Sequence, residues 1–192
     1  MRKIVSGGQS GVDQAALGAA MASGLATGGW CPPGRVSEDG TIPDIFQLKE
    51  TPEERSQDAP DIPRSQRTEW NVRDSDATLV LWPGTFNKHD LGTRYAIDCA
   101  LRYKKYLLIC DPTEQHQVDK AIDWITRHSI ETLNVSGPSE RTSPGVGALA
   151  ERFIRELLAC EKIPPATAFP DASSPISTKP PPSMFRPRRS SG

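Results

Sequence analysis

Nowhere in these 192 residues does an apolar run approach the length of a membrane span, which excludes a transmembrane helix. Met1-Arg2-Lys3 leads directly into a strand-like segment with no secretory apolar stretch, so the cytoplasm is the expected location. The four cysteines, Cys31, Cys99, Cys110 and Cys160, show no C-x-x-C spacing, and His89, His116 and His128 share no ligand-like pattern with them. A disulfide framework and a structural zinc site are thereby disfavoured, and no protein-ligated metal is expected. An excess of one charge is also lacking, with 23 Lys and Arg against 24 Asp and Glu. The balance is uneven along the chain: 162–192 holds five basic residues against Asp171 alone, leaving the remainder acidic by five. An acidic body lacks the cations that neutralise duplex phosphates, so nucleic acid is not an expected partner.

What is present is a regular alternation. Five stretches read as strands: Lys3–Ser6, Leu25–Trp30, Ala77–Trp82, Tyr106–Cys110 and Glu131–Ser136. Ala77–Trp82 is continuously apolar, as suits a central parallel strand buried on both faces. Helical patterns cover Val12–Ser23, Arg67–Arg73, Gly92–Tyr103, Glu114–Arg127 and Val146–Cys160. In the last, Leu149, Phe153, Ile154, Leu157 and Leu158 make one apolar stripe. In the first, Ala15, Ala16, Ala19 and Ala20 allow close seating on a sheet. Alternation at these lengths predicts one domain with a doubly wound, mostly parallel sheet and helices on both faces, its ligand site beyond the carboxyl ends of the strands. Ser37–Arg64 breaks the rhythm: it is polar, carries four prolines and has no period, so it reads as a lid over the site or as a surface insertion. Beyond residue 162 the Pro/Ser-rich, basic tail 163–192 cannot form a packed core and is expected to be disordered, with Arg186-Pro187-Arg188-Arg189 free to meet an acidic partner.

Three strand ends carry glycine turns. Gly7-Gly8-Gln9-Ser10-Gly11-Val12-Asp13 follows the first strand and opens the first helix, an order that aims backbone N–H groups and the positive helix end at one spot suited to an anion. It matches neither G-x-G-x-x-G nor the P-loop, having no Lys after its last Gly. Leu91-Gly92-Thr93 and Ser136-Gly137-Pro138-Ser139 repeat the theme, and in a parallel sheet the three converge on one edge. Thr93 suits a helix N-cap, worth about 1 kcal/mol, as well as it suits a ligand. Arg67 could fork onto a phosphate, whereas Glu69 and Arg73 are spaced as an i,i+4 pair. Trp30 offers a plane for a ring or a cover for the core edge, and Cys31 has no evident partner base.

Taken together, Gly7–Asp13, Gly28-Gly29-Trp30-Cys31-Pro32, Glu38-Asp39-Gly40, Arg67–Asp76 and Leu133–Pro138 resemble the molybdenum carrier family, over roughly residues 4–160. That family resembles in turn the molybdenum cofactor carriers and the lysine-decarboxylase-like phosphoribohydrolases. The resemblance implies a Rossmann-like fold over 1–162 that binds a phosphorylated pterin (molybdopterin) or a nucleotide. The residues expected at the ligand are Gly7, Gly8, Gln9, Ser10, Gly11, Asp13, Trp30, Arg67, Asn71, Arg73, Gly92, Thr93, Ser136 and Gly137. The phosphoribohydrolases carry a Pro-Gly-Gly-x-Gly-Thr run and a catalytic Glu, whereas this chain keeps only Gly92-Thr93, followed by Arg94-Tyr95-Ala96. Binding is therefore the leading expectation. N-glycosidic cleavage of a nucleoside monophosphate, with Asp98 or Glu69 as acid or base, is the alternative, and a nucleotide sensor is a third. A homo-oligomer is expected.

Overall fold

The computed structural model describes residues 1–84 and 90–160. Nine strands and five helices follow in chain order. β1 (Lys3–Val5), α1 (Val12–Ala22) and β2 (Ala26–Gly28) form the first unit. The expected strand Leu25–Trp30 is divided after Gly28, and its continuation β3 (Trp30–Cys31) leaves the main sheet to pair with β6 (Lys49–Glu50). Gly29 makes the break, at a φ of 127° that only glycine adopts without strain. Between these strands lies a short antiparallel hairpin, β4 (Val36–Ser37) with β5 (Gly40–Thr41). The unperiodic stretch Ser37–Arg64 thus holds pieces of sheet too short to show a period.

α2 (Ser65–Arg73), β7 (Ala77–Leu81), α3 (Leu91–Arg102), β8 (Tyr106–Cys110), α4 (His116–Arg127), β9 (Thr132–Ser136) and α5 (Val146–Ala159) complete the body. The main sheet is parallel throughout, in the order β2-β1-β9-β7-β8. Every residue of β7 is buried, as its unbroken apolar run predicts. On one face α1, α4 and α5 pack Ala16, Ala19, Ile122, Ile125, Phe153 and Leu157 against Ile4, Leu79, Leu133 and Val135. On the other, α2 and α3 bring Val72, Tyr95, Ala96 and Cys99 together. The doubly wound expectation is met. The tail, residues 163–192, lies outside the described residues.

The strand order locates the crevice. Counted from β7, the chain visits β7, β8, β9, β1 and β2, and in that count the sheet reads 2-1-3-4-5. This is a doubly wound order whose ligand crevice opens where strands 1 and 3 send their helices to opposite faces. Here those strands are β7 and β9, followed by α3 on one face and α5 on the other.

Candidate functional site

At that switch point a cavity of about 200 Å3 opens, lined by Gln9 from the loop after β1, Asp90 to Thr93 after β7, and Ser136, Gly137, Ser139 and Thr142 after β9. α2 adds Arg64 and Arg67, and the β4–β5 hairpin adds Glu38 as a roof. Three strand ends do converge, and two guanidinium groups join them.

Each wall has a local cause. α3 starts at Leu91 because the Asp90 carboxylate accepts the Thr93 N–H at 3.0 Å and the Thr93 hydroxyl at 2.8 Å. The cap is therefore Asp90, and Thr93 is what it caps. Arg64 is the N-cap of α2 at a left-handed φ of 57°, from which it donates to Glu38 Oε1 at 2.7 Å. Glu38 Oε2 accepts the Ser139 hydroxyl at 2.6 Å, so this one carboxylate ties roof, helix and the β9–α5 loop together. Gln9 holds the hairpin from below, donating to Val36 O at 3.2 Å and accepting the Glu38 N–H at 3.3 Å.

Behind the wall lies a buried ion pair. Arg67 Nη1 stands 3.0 Å from Asp13 Oδ2, with side chains 13% and 3% exposed. Burial pushes the Asp13 carboxyl up; the Arg67 guanidinium, the N–H groups of Gln9 and Gly7 and the Ser6 hydroxyl pull part of the way back. Burial lowers Arg67 in turn, against the pull of Asp13. The anion held by the first glycine loop is thus one of the chain's own: Gln9 N–H points to Asp13 at 3.3 Å, while Val12 N–H goes to Pro138 O. Gly7 is glycine because Arg67 lies on it, where a Cβ would come within 2.2 Å of Nη1. Among the described residues two buried side-chain polar atoms have no hydrogen-bond partner, Arg67 Nε and Ser10 Oγ. A buried donor left without a partner costs about 1–3 kcal/mol.

Of the residues expected at a ligand, the cavity gathers Gln9, Arg67, Gly92, Thr93, Ser136 and Gly137. Gly7, Gly8, Ser10, Gly11 and Asp13 form the layer beneath. Trp30 and Asn71 border a different cavity of about 280 Å3 beside β2 and β3. There the Asn71 side chain pairs with both backbone groups of Trp30, and Trp30 Nε1 donates to Asp74. Arg73 forks onto Asp74 at 2.7 and 3.0 Å and lies over Trp70, so the i,i+4 pair with Glu69 is not made. Cys31 is buried, which pushes its thiol up.

Both acids considered for catalysis lie elsewhere. Asp98 lines a groove of about 400 Å3 with Asp58, Tyr95 and Arg102. Glu69 is a buried junction: it accepts the hydroxyls of Ser56, Tyr95 and Tyr103, and Arg102 Nη2 stands 3.2 Å away. Burial raises its carboxyl, but the Ser56 and Tyr103 hydrogen bonds and Arg102 outweigh that, so it sits below the ordinary value of 4.5. Among the described residues no group of three or more His, Cys, Asp and Glu could hold a metal ion, and no helix is long and apolar enough to cross a membrane.

A family model, the circularly permutated YpsA SLOG family, matches residues 4–158. The chain belongs to that family. The permutation is visible in the sheet: in chain order its five strands read 2-1-5-3-4, and a doubly wound order appears when counting starts at β7 (2-1-3-4-5) or at β9 (3-2-1-4-5). The chain is also similar to a crystal structure named "Putative molybdenum carrier protein", from Syntrophus aciditrophicus SB. It is 33% identical, with a TM-score of 0.70 over 83% of this chain and 96% of that one. No curated protein matches. Within the family's span, the sequence motifs leave out Arg64, Asp90 and Thr142 at the cavity, and mark Glu38 and Ser139 only as parts of longer runs. Asp90 directly before Leu91-Gly92-Thr93 was the most legible signal missed, an Asp three residues ahead of a Thr at a helix start.

Proposed function

We propose that this chain binds a phosphorylated small molecule, a nucleotide or a molybdenum-cofactor pterin, in the crevice between β7 and β9, and serves as a carrier. The observation that supports this most is Arg67. Its side chain lines the cavity, and its buried Nε has no partner among the described residues, so a small shift of the guanidinium would turn a donor to a phosphate oxygen. Arg64, the Ser139 and Thr142 hydroxyls and the start of α3 surround the same space. The structural neighbour is named as a molybdenum carrier, which supports a carrier role. The donor set would hold the ligand by its phosphate, and among the described residues it includes no cluster of groups that would hold a metal. The protein's share is then to grip the phosphate and exclude water.

The N-glycosidase alternative asks for an acid or base at the leaving group. Glu69 and Asp98 both lie away from the crevice, and this supports binding over cleavage. Mass spectrometry of the gently purified protein is expected to find a retained phosphorylated ligand. Calorimetry is expected to give AMP binding that Arg67→Met weakens by at least about tenfold, the loss of one charged hydrogen-bond partner. Unchanged affinity in a folded Arg67→Met protein refutes the assignment. Incubation with AMP, GMP, CMP or UMP is expected to release little or no free base. Robust release, lost in Asp98→Asn or Glu69→Gln, reverses the choice.

A further inference from the structure

Four of the residues that line the crevice with donors, Arg64, Arg67, Thr93 and Ser139, are already held by carboxylates of the chain. Asp13 holds Arg67, Asp90 holds the Thr93 N–H and hydroxyl, and Glu38 holds Arg64 and Ser139. Two of these carboxylates are fixed. Asp13 is 3% exposed in the first turn of α1, and Asp90 is 8% exposed and caps α3. Glu38 differs: its side chain is 23% exposed, and it sits at the tip of a hairpin with two residues per strand. The base of that hairpin is closed by Arg35 and Ile42, and its tip is tied over the crevice by the side chains of Gln9, Arg64 and Ser139. The cavity beneath it, about 200 Å3, is below the roughly 300–1,000 Å3 usual for a small-molecule site.

We propose that Glu38 is a resident surrogate for the ligand's phosphate: its carboxylate occupies the Arg64–Ser139 subsite in the ligand-free protein, and a phosphate monoester displaces it. This rests on the reading of the crevice as a phosphate site. The exchange swaps one anion for another on the same two donors, so neither Arg64 nor Ser139 is left unpaired. The displaced carboxylate passes to solvent at the hairpin tip, where its charge is hydrated. The roof lifts with it, which gives the rest of the ligand the volume the crevice lacks. Specificity follows from charge. A neutral nucleoside or pterin cannot evict Glu38, while a monoester with two negative charges replaces its carboxylate on Arg64 and Ser139.

Calorimetry at low ionic strength, with inorganic phosphate and with AMP as probes, tests the exchange. Glu38→Gln removes the competing charge and is expected to tighten both probes by about tenfold, the weight of one charged hydrogen bond. Ser139→Ala removes a donor and is expected to weaken both. Thermal melts of each variant establish that it is folded. Should Glu38→Gln melt well below the parent, Glu38→Ala, which removes the competing carboxylate altogether, is expected to tighten both probes likewise. Equal or weaker binding by a folded Glu38 variant overturns the displacement, as does a gain with AMP that is absent with inorganic phosphate. No binding of either probe by parent and variants alike overturns the phosphate-site reading itself, and the proposal with it.

Discussion

Glu69 separates a structural acid from a catalytic one. Its carboxylate accepts Ser56 from the Pro-rich stretch and Tyr95 and Tyr103 from α3, and faces Arg102, so one side chain on α2 clamps three segments. Burial pushes Tyr95 and Tyr103 up to about 12, which keeps both hydroxyls protonated as donors at neutral pH. Glu69→Gln keeps the shape but turns one acceptor oxygen into an NH2 group aimed at hydroxyls, and removes the charge opposite Arg102. A hydrogen bond to a charged group is worth about 1.5–3 kcal/mol. Two are weakened here, but Arg102 is 39% exposed and water compensates part of its loss. The expected net cost is about 3 kcal/mol, a fall in Tm of roughly 6–12 °C for a body of this size. Differential scanning calorimetry measures it, with phosphate affinity determined on the same sample well below the transition. A Tm within about 2 °C of the parent refutes the clamp. A Tm unchanged together with lost turnover on a nucleoside monophosphate makes Glu69 catalytic after all.

The same carboxyl sets a pH dependence. Its folded value lies below the ordinary 4.5, so its contribution is present above that pH and is lost as the pH falls through the folded value. Acid melts are expected to show the parent losing more stability below about pH 4.5 than Glu69→Gln does. Gly8→Val is expected to lower Tm by several degrees before any ligand is added, because a β-branched residue is strained at a φ of 75° and its Cβ would stand 2.6 Å from Leu48 Cδ1. A melt matching the parent contradicts that packing. Asp98→Asn is expected to bind inorganic phosphate as tightly as the parent in calorimetry, since Asp98 opens onto a different groove. Removal of 163–192 is expected to leave Tm nearly unchanged, and a drop of several degrees means that the segment packs on the body.

The elements were legible where one physical signal dominated. β7 announced itself by an unbroken apolar run, α5 by its stripe, and α1 by alanines spaced to meet the sheet. That three glycine turns share one edge followed from the parallel order alone. The site's polarity was harder to read, because sequence does not say which charge meets which. Glu69 and Arg73 are four apart on one helix, yet Arg73 turns to its neighbour Asp74 while Glu69 is drawn inward by hydroxyls from α3 and the Pro-rich stretch. Glu38 and Arg64 are joined across 26 positions by a stretch with no period of its own. The first glycine loop was read as open to an outside anion, and Asp13, two residues past its last glycine, supplies an inside one.

The sheet order has a consequence for how the chain is assembled. β9 lies between β1 and β7, pairing Ile4 with Leu133 on one side and Leu79 with Val135 on the other, yet it is the last of the described strands to leave the ribosome. Until it emerges, β1–β2 and β7–β8 are two separate ribbons, each with an open parallel edge and half a hydrophobic face. The middle of the sheet is thus its keystone in time as well as in place. Closing it joins residues about 130 apart, a long-range contact of the kind that slows folding. It also brings the third wall of the crevice, so the ability to bind arrives in the same step that completes the core.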